Sequence, residues 1–123
     1  MRQFREPNRE QPLLMTYVNL DSAAPMGSAV RIINDVVDCL DTTDIERAYN
    51  LEAERGNNPI HPKTIIKVCL YALHECRFSL RKMEDDTQYN LPYRWLTGNR
   101  VIDHSTIGKF LVRFKKELIE MFV

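Results

Sequence analysis

Apolar residues recur at three- and four-residue spacing through most of the chain, which is the period of an α-helix. Val30, Ile33, Val37 and Leu40 mark one face of a helix predicted over 28–40, with Ile32 and Val36 widening its buried stripe. Ser28 stands where an N-cap belongs, and Asp35, Asp38 and Asp41 take the wet side. Asp41-Thr42-Thr43-Asp44 then offers caps for a short second helix through Ala48 and Tyr49. His61-Pro62 opens a third helix, with proline at the position where its missing N–H costs nothing. This helix, predicted to run to Arg77, carries Ile65, Ile66, Val68, Cys69, Leu70, Tyr71, Ala72, Leu73 and Cys76. Being apolar on nearly every side, it reads as the hub of a helical core.

Downstream, Ser79 caps a short helix from Leu80 to Thr87, with Met83 inward and Arg81 and Lys82 outward. Residues 90–96 make another turn or two of helix, closed by Gly98 in the left-handed cap position. A last helix is predicted from Asp103 or His104 to Phe122. At about 100° per residue, its Ile107, Phe110, Leu111, Phe114, Leu118 and Met121 gather on one side. Ser105, Thr106, Lys109, Arg113 and Lys116 occupy the opposing side. Residues 1–12 read as a flexible tail, and Leu13–Leu20 as one short extended segment. The expected fold is therefore an all-α domain over 13–123, with five or six helices and a helix-turn-helix-like C-terminal unit.

Composition narrows the class. The 123 residues are 44% hydrophobic and 28% charged, an ordinary globular balance. No apolar run approaches the roughly 18 to 20 residues that span a bilayer, so no membrane partner is expected. Three cysteines without a CxxC pair argue against a disulfide framework and point to a reducing cytoplasm. The formal charge is zero, but it is not evenly spread. Through Asn58 there are six basic and ten acidic residues; after it, eleven basic and seven acidic, so −4 is followed by +4. Such a division can orient a polyanion toward the second half.

Candidate chemistry is sparse. There is no GxSxG, P-loop or GxGxxG pattern, and only four glycines. The three histidines and three cysteines show no zinc-ligand spacing, and Cys69 and Cys76 read as core residues. Consecutive helical positions diverge, so Glu84, Asp85 and Asp86 are not expected to converge on a metal and read as a solvated face. Trp95, with Tyr93 and Leu96, reads as a core plug. No catalytic residue, metal or cofactor is expected. The last helix admits two readings. Hydroxyls near its start and cations along one face suit a DNA-reading helix, and they equally suit a solvated amphipathic one. Gly108 within it either permits a close approach or is a tolerated flaw.

Four blocks in order and spacing carry a resemblance. They are His61-Pro62-Lys63-Thr64-Ile65-Ile66-Lys67-Val68, Ser79-Leu80-Arg81-Lys82-Met83-Glu84, Tyr93-Arg94-Trp95-Leu96-Thr97-Gly98, and Asp103-His104-Ser105-Thr106-Ile107 with Phe110. Together, over residues 13–123, they resemble the N-terminal (InsH-like) domain of IS5/IS1182-type insertion-sequence transposases. The resemblance implies a helical domain that binds the terminal inverted repeats of a transposon as double-stranded DNA. In that family a catalytic DDE domain follows, and this sequence stops where it would begin. The resemblance thus implies a DNA-binding domain or fragment with no strand-transfer activity of its own, cytoplasmic and nucleoid-associated when bound. Ser105, Thr106, Lys109 and Arg113 are expected to face a groove, and His104, Lys116, Arg81, Lys82 and Arg100 to lie toward phosphates. The alternative is a protein-interaction module, a homodimer or a partner of a full-length transposase, using Val112 and Ile119 beside the buried stripe.

Overall fold

Helix α1, Ala29–Asp38, begins the described fold, and its end shows how the domain is tied together. Lys67 ion-pairs with Asp38 at 2.7 Å, and Lys63 donates to the Asp38 carbonyl at 3.0 Å. Two cations from one helix thus satisfy the negative C-terminal end of another. A computed structural model describes residues 21, 24–52 and 60–122. The tail expected at 1–12 and the extended segment at 13–20 lie outside the described residues.

Six further helices follow among the described residues: α2 Thr43–Glu52, α3 Pro62–His74, α4 Leu80–Tyr89, α5 Leu91–Thr97, α6 His104–Arg113 and α7 Lys115–Phe122. No strand occurs among them. The all-α expectation holds, and α3 is the hub, packed against α1, α2, α4 and α5. Its Ile65, Ile66, Val68 and Ala72 are buried with Val37, Tyr93, Ile102, Ile107, Phe110 and Phe114. His61 Nδ1 accepts from the Lys63 N–H at 3.1 Å and Nε2 meets Glu46 at 2.6 Å, so one ring caps α3 and reaches α2.

Several details differ from the periodicity. Ile32 and Val36 do not widen the buried stripe; both are about half exposed, because among the described helices α3 and α5 cover α1 on its other side. Ser28 holds the N-cap position without a side-chain bond to the helix. Helix α3 stops at His74 rather than Arg77. Cys76 takes a left-handed conformation (φ 59°), and the Arg77 N–H reaches back to the Ala72 carbonyl at 2.8 Å, closing a Schellman-type end. Cys76 is therefore exposed, not a core residue, and Leu73 is 58% exposed. Cys69 does lie against the core, where burial pushes its thiol up to about 12.

Tyr93 and Leu96 are buried as expected, and Trp95 packs half-buried against the same core. Its indole N–H donates to Asp21 at 3.1 Å, Arg31 pairs with the same carboxylate at 2.7 Å, and that guanidinium sits 5.0 Å over the ring. The chain entering α1 is fastened to α5 in this way. The last helix is two: the backbone turns at Phe114, whose ring is buried 5.0 Å from Phe110. The expected stripe survives the turn, with Ile107, Phe110 and Phe114 buried and Leu111, Leu118 and Met121 packed against them.

Candidate nucleic-acid interface

The setting of α6 begins in the preceding turn. Gly98 closes α5 in the left-handed conformation (φ 62°), as expected, and Asn99 follows it at φ 69°. Asn99 holds this shape by accepting from Arg94 at 3.0 Å. Thr87 of α4, fully covered, donates to the Glu84 carbonyl and accepts from the Ile102 N–H at 3.1 Å. That bond draws the connection down onto α4 and buries Ile102.

Glu84 then fixes the start of α6. Its Oε1 accepts the His104 N–H at 3.0 Å and lies 3.2 Å from His104 Nδ1. Asp103 Oδ1 is 3.1 Å from the same ring nitrogen, and the Ser105 hydroxyl donates to Asp103 Oδ2 at 2.5 Å. Chiefly through that hydroxyl, the Asp103 carboxyl is held down at about 2. Ligand atoms of Glu84, Asp103 and His104 all lie within 4.8 Å of one another, close enough to hold a divalent ion. Negative charge at a helix N-terminus is also favourable without one.

The acidic run therefore departs from expectation in one respect. Glu84, Asp85 and Asp86 do diverge, but only Asp85 is freely solvated. Asp86 is buried on another side, 3.4 Å from the Arg77 guanidinium, and burial raises its pKa despite that cation. Nothing local to the sequence signals the Glu84 contact, since its partner lies twenty residues downstream.

The exposed side of α6 lies between two neighbours. Leu80 of α4 closes one flank: a Cβ on Gly108 would sit 3.1 Å from its Cδ1, so Gly108 permits a close helix approach. Tyr49 of α2 closes the other, its ring 6.0 Å from Phe110 and 6.5 Å from Phe114. Between them, Ser105, Lys109, Val112 and Arg113 are exposed and Thr106 is half-buried. Arg113 lies 5.0 Å over the Phe114 ring. Arg81 and Lys82 stand exposed at the start of α4. Arg100 is exposed in the α5–α6 connection, where its charge opposes the burial that raises Tyr49. Lys116, also exposed, falls beyond the turn at Phe114 and not on α6.

Charge is not uniform over the second half. Asp41 and Asp44 before and within α2 share an acidic groove with Glu117 and Glu120 of α7. An apolar groove of 330 Å³ opens elsewhere, lined by Ile66, Leu70, Leu73, Phe78, Leu118 and Phe122 among others.

Residues 18–113 match the transposase domain family DUF772, and the chain belongs to that family. No curated protein matches the chain, and no solved structure does. Among the described residues, no helix is long and apolar enough to cross a membrane.

Proposed function

We propose that this transposase-family domain binds double-stranded DNA at transposon ends, with α4, α5 and α6 acting as a helix-turn-helix-like unit and α6 as the reading helix. One observation carries the reading. Helix α6 is held on its inner side by Ile107 and Phe110 while Ser105, Lys109 and Arg113 stand exposed on the outer side. Groove contact needs such a helix, anchored from behind and polar and cationic in front. Arg81, Lys82, Arg100 and Lys116 add positive charge around it for phosphates. His104 is the weakest member of the set, because its ring nitrogen already faces Glu84 and Asp103. The order of sequence blocks supports placing the domain at the N-terminus of an IS5/IS1182-type transposase. Its place of action is then the bacterial nucleoid, and the reading gives these residues no strand-transfer step.

The test is equilibrium binding to a duplex carrying the terminal inverted repeats of the encoding element, titrated with salt. Replacing both Lys109 and Arg113 by alanine should lower the salt slope by about 1.8, the share of two phosphate contacts. An unchanged slope removes this face from the interface. A second reading, interaction with another transposase chain, is favoured by the apolar groove beside exposed Leu73, Phe78 and Phe122. Light scattering with and without DNA separates the two: oligomers without salt-sensitive DNA binding favour association.

A further inference from the structure

Val112 is the feature of the outer face that phosphate binding leaves unexplained. It is 81% exposed, on a helix whose apolar residues are otherwise turned inward. Ser105, Lys109 and Val112 follow one another at intervals of four and three, so they form a single stripe along α6. The stripe is about 10 Å long at the rise of an α-helix. The fourth position of such a set, Gly108, has no side chain and faces Leu80. A helix lying along a major groove reads bases with residues at this spacing.

From the DNA-binding reading, on which this step rests, we infer that Val112 is a specificity-determining residue that contacts the methyl group of a thymine. The reason is chemical. Each base edge in the major groove offers hydrogen-bond donors or acceptors, and thymine alone adds an apolar group. Valine can take no hydrogen bond and carries two methyls, so thymine is the base edge it complements. Charge favours the same occupant. Lys109 and Arg113 flank Val112 and attract a polyanion, whereas a two-fold contact with a second copy would set these cations against their own kind.

The test is selection from a random duplex pool with the whole chain, followed by replacement of each selected thymine by uracil, which removes only the methyl. One replacement should weaken binding about fourfold, the size of one buried methyl. In Val112→Ser that replacement should have no effect, while the salt slope stays that of the parent. Val112→Ala is the second variant, and matching thermal melts confirm that each is folded. Salt-dependent binding without methyl discrimination, or an equal uracil effect in parent and variants, overturns the inference and leaves DNA binding standing. A loss of oligomer mass in Val112→Ser with discrimination unchanged assigns the residue to a protein contact instead. Absence of salt-dependent binding to any selected duplex removes both.

Discussion

Glu84 Oε1 accepts the backbone N–H of His104 from 3.0 Å, so a side chain of α4 caps α6 across twenty residues of sequence. The bond joins the helix bearing Arg81 and Lys82 to the helix bearing Lys109 and Arg113. It also places a carboxylate beside the proposed DNA face. Glu84→Ala should lower unfolding free energy by about 1 kcal/mol, the usual size of a lost cap. Glu84→Gln keeps an acceptor oxygen and should lose less, while binding DNA more tightly at low salt because one negative charge is gone. Denaturant unfolding and binding titrations measure the two effects separately.

Asp103 and Asp86 should act in opposite directions on acid stability. The folded Asp103 carboxyl sits at about 2 against an ordinary 3.8, so its contribution is present above 3.8 and lost as pH falls toward 2. The folded Asp86 carboxyl is raised, so it adds stability as pH falls from that raised value to 3.8 and detracts above it. Asp103→Asn should flatten the loss of stability between pH 4 and pH 2. Asp86→Asn should remove the opposing gain that appears as pH falls toward 3.8. Urea unfolding across this range checks both signs.

Cys76 holds a left-handed backbone at the end of α3, a conformation that costs a residue with a Cβ about 1–2 kcal/mol. Glycine does not carry that cost, although it adds freedom to the unfolded chain. Cys76→Gly should therefore raise stability by about 1 kcal/mol, and Cys76→Val should lower it. Thermal melts of the three proteins decide the matter.

Gly108 sets helix propensity against space. Alanine there gains about 1 kcal/mol of propensity, but its Cβ presses on Leu80 Cδ1 at 3.1 Å. In a Leu80→Ala background the full gain should appear on adding Gly108→Ala. In the parent it should be smaller, and the double-mutant cycle reads the difference as coupling between α4 and α6.

How far the sequence carried the site can be judged from α6. The stripe Ile107–Phe110–Leu111–Phe114 and the opposing Ser105, Lys109 and Arg113 are legible because helical periodicity assigns faces without knowledge of neighbours. Thr106 turned out half-buried, and Lys116 lies past the turn at Phe114. No glycine or proline marks that turn. In sequence, Glu84 reads as one carboxylate in a solvated run, because its partner lies twenty residues away.

By itself, then, the sequence determined what local geometry and short-range chemistry determine: all-helical composition, Pro62 and Gly98 at their helix ends, α3 as hub, and the block order that marks a transposase domain. Tertiary structure decided which parts of each face are covered and which charges are already spoken for. Ile32 and Val36 stay half exposed because none of the described helices packs over that side of α1. Lys67, on the most apolar helix, is buried because Asp38 meets it there. Trp95 packs against the core only in part, and Asp21 and Arg31 hold its indole at the edge. Each outcome depends on which distant parts of the chain meet, and periodicity carries no information about which helix will lie opposite.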